Sequence, residues 1–379
     1  MPLKGYFSAT AHFKNESKQC KFYVTEGNSG NLLGYSTATD LGVIQVVREI
    51  SELPESLSEF KELFNGGIGK VKNKTVKLHI DESVKPKIQP HRRQPFHSRK
   101  DIEDEVERLD RLDIIEDVYG PTPWVSPIVT VPKKSGGIRI CVDMREANKA
   151  IQRERHVIPT LDDLVNDLNG ATVFSTLDLS SAYHQLELAP ESRYITTFST
   201  HLGLKRYKRL FFGINAASEI FQNAIAEILH DLPGCKNISD DIIVHGKDRK
   251  EHDRNLRAVL KRLKEHGVTL NLPKCHFYQS QVKFYGHIFS AEGIKPDPKK
   301  IQSIVDAPAP LDVSGVKSLL GMAQYLARFI PDYAHITAPL RELTRNDVKW
   351  EWNHTHDDAL NDLKKALTGA RVMAYFNPK

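Results

Sequence analysis

Cysteine is scarce in this chain, with four among 379 residues, and Cys20, Cys141, Cys235 and Cys275 form no Cys-x-x-Cys pair. Such spacing argues against a zinc ribbon and against a disulfide framework, leaving reduced thiols. No apolar run is long enough to cross a bilayer, so no membrane partner is expected. No charged-then-apolar leader opens the chain. The expectation is a soluble protein that is not secreted. An excess of charge of one sign is also nearly missing: 53 Lys and Arg stand against 48 Asp and Glu, a net +5. Overall charge therefore says little about partners.

What is present is enough apolar material, 40% of residues, to bury a sizeable core in more than one domain. Cations are clustered rather than abundant. The stretch 85–100 holds Arg92, Arg93 and Arg99, and Lys205-Arg206-Tyr207-Lys208-Arg209 sets four cations around a ring. Both read as candidate phosphate-backbone contacts.

The sharpest feature is Asn237-Ile238-Ser239-Asp240-Asp241-Ile242-Ile243-Val244-His245-Gly246. Its β-branched residues predict a strand over 237–246, stopped by Gly246. Strand neighbours point to opposite faces, so at least one aspartate lies beside apolar packing. An ionised carboxylate there is costly unless paired with a cation. Mg²⁺, which takes one or two carboxylates together with substrate phosphates, is the natural partner. The pairs Asp162-Asp163 and Asp357-Asp358 sit in polar helix-forming contexts and read as first-turn acids instead. A further carboxylate, Asp178, ends the strand-like run Phe174-Ser175-Thr176-Leu177, whose alternation predicts one apolar face. Three acids brought together repel unless cations neutralise them. Two metals ~3.5–4 Å apart would do so and would serve phosphoryl transfer.

Other elements follow from period and breakers. Residues 51–64 read as a short amphipathic helix stopped at Asn65-Gly66-Gly67, a plausible linker. Residues 70–97 read as an extended arm. Lys100–Val118 shows a helix face (Ile102, Val106, Leu109, Leu112, Ile115). Ile128–Val131 and Ile138–Val142 form a hairpin with Gly136-Gly137 at its tip. Helices follow at 216–229, at 250–266 with Gly267 as stop, at 313–330, and near 357–367.

These residues carry a resemblance. Leu177-Asp178-Leu179-Ser180-Ser181-Ala182-Tyr183 and Ile238-Ser239-Asp240-Asp241 resemble the two acidic motifs of reverse transcriptases from gypsy-like long-terminal-repeat retrotransposons. Arg139–Asn148, Leu210–Gln222, Leu270–Cys275 and Val282–His287 resemble further motifs in the same order. The resemblance covers about residues 75–379. It implies an α+β right-hand polymerase fold: fingers and a ferredoxin-like palm over 85–290, and a helical thumb and connection over 291–368. It implies an RNA-directed DNA polymerase, with a catalytically silent retroelement remnant as the alternative.

By the same resemblance Asp178, Asp240 and Asp241 hold two Mg²⁺ ions, with Mn²⁺ a substitute. Lys274 protonates the leaving pyrophosphate. Lys133 or Lys134 and Arg139 meet the incoming deoxynucleoside triphosphate. Tyr183 senses its sugar, with Phe212 and Gln222 on the nucleotide and template side. Phe284-Tyr285-Gly286 grips the primer end. The implied partners are an RNA or DNA template with primer, with a homodimer open. The implied place of work is the cytoplasm, in a virus-like particle, or the nucleus. Three positions depart from the family pattern: Ile238 for tyrosine, which removes a ring from beside the primer end, Phe211 for proline, and Ala147 for leucine.

The flanks carry their own resemblances. Asn31–Gly42, with its Leu32-Leu33-Gly34, resembles the C-terminal end of a retroelement aspartic protease, within a remnant spanning 1–50. No Asp-Ser/Thr-Gly triplet accompanies it, so a protease site is not expected. Residues 51–84 read as linker and helix. Residues 369–379 resemble the start of a ribonuclease H domain whose acids are not in the chain.

Overall fold

A computed structural model of the chain describes residues 3–13, 16–25, 53–133, 137–154 and 160–369. The protease-like stretch at 31–42, Lys134 and the ribonuclease H-like lead-in from 370 lie outside the described residues. The chain divides into two compact units, residues 1–52 and 53–379. In the first, β1 (Leu3–Phe13) and β2 (Glu16–Thr25) pair antiparallel, with Thr10 opposite Gln19.

In the second unit, Glu55–Phe64 is a 3₁₀ helix that buries Leu57, Phe60 and Leu63. The arm that follows is extended as expected and contributes β3 (Thr75–Val76). Helix α1 runs Arg99–Arg111, seven residues short of the expected Val118. The 3.6-residue period continues through Ile115, but Asp113 turns left-handed at φ 56°. Ile115 then opens β4 (Ile115–Asp117). The expected hairpin is present as β5 (Ser126–Pro132) and β6 (Ile138–Val142). Helix α2 (Leu161–Asp167) starts on a capping box between Thr160 and Asp163, so this acid pair is used at a helix start.

The centre comprises β7 (Val173–Asp178), β8 (Glu187–Leu188), β9 (Phe198–Thr200), β10 (Gly203–Tyr207), α3 (Ala217–Leu229), β11 (Cys235–Ile238), β12 (Asp241–Gly246), α4 (Arg249–Glu265) and β13 (His276–Gln279). Five strands form one sheet in the order β4-β10-β9-β5-β6, and four form a second in the order β11-β12-β7-β13. The run 237–246 is therefore the end of one strand, a turn at Ser239-Asp240 and a second strand. The continuous strand predicted over it is corrected here.

The four-stranded sheet lies between two apolar cores. Leu177, Ile242 and Val244 join the larger one, with residues of α1, α3 and α4. Phe174, Ile238 and Ile243 join the other. Strands covered on both faces carry near-continuous apolar runs, which is why Ile242-Ile243-Val244 does not alternate. The single apolar face expected for 173–178 is corrected accordingly: Phe174, Ser175, Thr176 and Leu177 are all buried.

The second core is completed by β14 (Gln281–Phe284), β15 (His287–Ser290), β16 (Gly293–Pro296) and a helical layer. That layer comprises α5 (Pro298–Val305), α6 (Val313–Gln324), α7 (Tyr333–Ile336), α8 (Ala338–Glu342) and α9 (His354–Thr368). Asp297, Asp312 and Asn353 cap α5, α6 and α9 through their side chains. Helix α6 ends six residues before the expected Ile330. A 3₁₀ turn at Ala327–Phe329 follows, which buries Phe329. Among the described residues no helix is long and apolar enough to cross a membrane.

Phe289 is fully buried in the second core. Phe289→Ala should cost ~3–5 kcal/mol of stability, the transfer and cavity terms together. The check is the urea midpoint at unchanged slope; a cost below ~1 kcal/mol would show that this core can collapse around the gap.

Candidate active site

The acidic corner is built by strand register. Asp241, the first residue of β12, lies directly opposite Asp178, the last residue of β7. The Leu179 N–H donates to the Asp240 carbonyl at 3.2 Å. That flanking bond marks 178–241 as a non-hydrogen-bonded pair, whose Cβ atoms stand ~4.5–5.5 Å apart on the same face. Asp240 is adjacent, in the turn.

The turn itself is strained. Ser239 adopts φ 55° without being glycine, a conformation that persists only where surroundings enforce it. Gln222, on α3 and almost fully buried, does so. Its Oε1 accepts from the Ser239 N–H at 2.6 Å and its Nε2 donates to the Asn237 carbonyl at 3.2 Å. Both halves of the amide are thus committed to the hairpin. The expected contact of Gln222 with nucleotide or template is corrected to a buried bracing role.

Asp178 is cradled from the other side by 271–275, in roles the sequence did not reveal. The Asn271 N–H donates to its carbonyl at 2.9 Å. The Cys275 Sγ accepts from its N–H at 3.5 Å. The Lys274 ammonium stands 3.3 Å from its Oδ2. Burial raises the Asp178 carboxyl above the ordinary range, Lys274 opposes this, and Asp240 adds to it. Asp241 is pushed up to about 6, by burial first and then by the charges of Asp240 and Asp178.

Three carboxylates thus share one electrostatic corner. Among the described residues no three His, Cys, Asp or Glu side chains close into a ready-made metal cage. An all-oxygen, partly open donor set with raised carboxyl pKa values suits a hard divalent cation that draws its other ligands from phosphate and water.

A groove of about 480 Å³ opens on this corner, lined by Asp178, Asp241, Lys274, Lys283, Tyr285 and Gly286 among others. The three residues expected at a primer end therefore border the same space as two of the acids. Phe284 is buried and Tyr285 is half exposed. Ile238 pairs with Asp241 across β11 and β12, so its side chain lies on the same sheet face as that acid. Ile238 is 5% exposed and belongs to the same core as Phe284, Phe174 and Ile243.

Tyr183 is 7% exposed and hydrogen-bonds Ser218 through its hydroxyl at 3.2 Å. Its ring meets Phe221 and the exposed Phe212 edge-on, at 5.2 and 4.5 Å. Phe211, at the family's proline position, stacks on Tyr207 at 3.8 Å. Arg139 is exposed on β6 and has no ion-pair partner among the described residues. Lys133 is instead bridged to Glu105 of α1 at 3.3 Å, so a phosphate must compete with that pair.

The Lys205–Arg209 cluster is corrected outright. Lys205 pairs with Asp117 at 2.8 Å, Arg206 with Glu116 at 2.7 Å, and Lys208 with Asp113. Arg209 is 5% exposed and donates to the carbonyls of Asp113, Gly69 and His184. The run ties sheet strands together and offers no free cation stripe to a phosphate backbone.

Comparison with known proteins agrees with this geometry. Residues 131–289, which contain both acidic motifs, match the family described as reverse transcriptase (RNA-dependent DNA polymerase). That segment is similar to a reverse transcriptase domain. The chain is 34% identical over 324 residues to the retrovirus-related Pol polyprotein from transposon opus of Drosophila melanogaster, covering 79% of this chain and 32% of that one. It is 32% identical over 253 residues to the transposon Tf2-3 polyprotein of Schizosaccharomyces pombe, covering 66% of this chain and 19% of that one. The chain thus spans a third or less of these relatives.

Two solved structures share the fold of this domain. The foamy viral protease–reverse transcriptase in complex with double-stranded DNA matches with TM-score 0.78 at 18% identity, over 98% of this chain and 70% of that one. The same protein in complex with an RNA/DNA hybrid matches with TM-score 0.74 at 18% identity, over 97% and 53%. The architecture is the mixed α and β right-hand polymerase fold.

Because Asp241 ionises less readily in the fold than at its ordinary 3.8, the sign of its pH effect is fixed. Its contribution to the stability of the metal-free protein is complete below about 3.8 and is lost as pH rises through about 6. Asp241→Asn should therefore gain stability over the metal-free wild type as pH rises from ~4 to ~7. Neighbouring atoms desolvate the carboxyl, yet the residue as a whole stays more than a third exposed to solvent, so screening limits the gain to about 1 kcal/mol. Urea titrations of both proteins in chelator test this, and a pH-independent difference would deny the repulsion.

Proposed function

We propose that this chain is an RNA-directed DNA polymerase that joins a primer 3′-oxygen to the α-phosphate of a deoxynucleoside triphosphate, releasing pyrophosphate. The observation that carries the reading is the register of Asp178 against Asp241, beside Asp240 and at the mouth of a groove edged by Lys274 and the Tyr285–Gly286 turn. Asp178, Asp240 and Asp241 would hold the divalent ions, Mg²⁺ or Mn²⁺. When bound, such ions activate the attacking oxygen and neutralise the leaving one. The chain's own residues supply orientation. Gln222 fixes the turn that presents Asp240 and Asp241, and the 271–275 segment fixes Asp178. Lys274 places a proton donor beside the acids, in reach of a departing pyrophosphate. Arg139, and Lys133 once released from Glu105, face the triphosphate. Template, primer and deoxynucleotides are the partners on this reading.

The finer assignment to gypsy-like long-terminal-repeat elements rests on the ordered motifs from 139 to 287. The protease-end reading of 1–50 rests on Leu32-Leu33-Gly34. On the same reading 85–290 are fingers and palm, 291–368 are thumb and connection, and the enzyme works in the cytoplasm or nucleus.

Primer extension on a homopolymer RNA template with Mg²⁺ or Mn²⁺ tests the proposal directly. Asp240→Asn should abolish synthesis while primer–template affinity, read by fluorescence anisotropy, stays within about threefold, because affinity rests chiefly on backbone phosphates. A wild type that binds but extends nothing would assign the chain to the silent-remnant class.

Sugar choice gives a second test. If the Tyr183 ring excludes a 2′-hydroxyl by collision, Tyr183→Val should raise ribonucleotide use relative to deoxynucleotide use roughly tenfold or more. An unchanged ratio would leave Tyr183 as a packing residue between Phe212 and Phe221.

A further inference from the structure

The turn between β14 and β15 is held by a group outside the acidic corner. Tyr285 and Gly286 both adopt left-handed backbone, at φ 44° and 72°, and the first is a strained position for a bulky residue. The Tyr285 carbonyl receives two hydrogen bonds. One comes from the hydroxyl of Tyr325 at 2.6 Å, the other from Nδ1 of His287 at 3.0 Å. Tyr325 follows the last residue of α6, forty positions along the chain.

Tyr325 is itself sandwiched. His287, 1% exposed, stacks on its ring at 5.0 Å. The Lys300 ammonium of α5 sits 3.5 Å over the ring centroid. A Cβ on Gly286 would meet the side-chain tips Lys300 Nζ and Tyr325 Oη at 2.5 Å, so a side chain there must displace these ends as well as adopt the left-handed φ.

We infer that Tyr325 is a positioning residue, a clasp through which the helical layer sets where the Tyr285–Gly286 turn stands relative to Asp178 and Asp241. The turn and the two acids line one groove. A primer end seated in that groove takes its distance from the carboxylates from this wall. Without the Tyr325 hydroxyl, His287 alone donates to the Tyr285 carbonyl and the left-handed turn relaxes more readily. Small displacements of reacting groups lower rate steeply. The effect should fall on how the primer end is held, since the groups assigned to the triphosphate lie elsewhere. The inference rests on the polymerase reading above.

Tyr325→Phe keeps the ring between His287 and Lys300 and removes only the hydroxyl. In primer extension it should reduce nucleotides added per binding event roughly three- to tenfold, the scale of one lost hydrogen bond. The KM for deoxynucleotide should stay within about twofold, as expected where uniform triphosphate binding is untouched. Amide exchange at 285–287 should quicken, with the melting temperature little changed. Gly286→Ala, which collides with the clasp from the other side, should give the same pattern. Combined with Tyr325→Phe it should add less than the sum of the two, since both act on one contact.

An active wild type matched by Tyr325→Phe in both processivity and exchange overturns this inference alone. A loss seen equally in deoxynucleotide KM assigns Tyr325 to general stability and also overturns it. A wild type that extends no primer overturns the polymerase reading and this inference together.

Discussion

Carboxylate repulsion is the constraint on which the rest of the molecule depends. Asp178 and Asp241 face each other across β7 and β12, with Asp240 in the adjoining turn. Burial and mutual charge make each of the first two harder to ionise than usual. Left alone, such a corner would splay. It is contained by backbone bonds on the Asp178 side and by the Gln222 amide on the Asp240 side. Among the described residues, the Lys274 ammonium is the positive charge drawn directly against it. A repulsive, preorganised corner of this kind binds cations because it is unfavourable without them. Its rigidity lets that unfavourable energy appear as affinity and orientation rather than as local unfolding.

That rigidity comes from the position of the sheet. β7 and β12 are covered on both faces, one set of side chains entering each core. A shift of one residue in their register would move Phe174 and Ile243 into the larger core and Leu177, Ile242 and Val244 into the other. It would also take Asp241 out of alignment with Asp178. Core packing and the alignment of the acids are therefore the same fact seen from two ends of the strands. The strained Ser239 is tolerated at the edge of this block because Gln222 reaches it from α3, whose other buried residues anchor it in the larger core.

Much of this was legible in the sequence because it rested on local anomalies. Carboxylates inside a β-branched run are conspicuous, and both acidic segments lie at the corner. Helices with a full apolar face and a strong stop, such as 250–266 before Gly267, stand within a residue of expectation. Misreadings arose where a distant partner decides. The turn at Ser239-Asp240 depends on Gln222, seventeen residues away, and nothing in 237–246 announces it. The Lys205–Arg209 cations are matched by acids ninety or so positions earlier, so a run that looked like a nucleic-acid contact is a seam between β4 and β10. Helix α1 seemed longer than it is because Ile115 keeps the helical period while serving a strand.

The position of Ile238 shows the limit of transferring a motif residue by residue. A tyrosine at this position suggests a ring at the primer, and isoleucine then reads as damage. In this fold the position is a buried site of β11 on the sheet face of Asp241, in the same core as Phe284, which precedes the Tyr285–Gly286 turn. A buried β-branched residue on an edge strand suits both strand geometry and the apolar core. It therefore contributes apolar packing on the acids' face of the sheet. Tyr325 acts on the neighbouring turn from the helical side, through the Tyr285 carbonyl. A sequence reading centred on the acids meets Ile238 only as a departure from the motif and has no means of finding Tyr325.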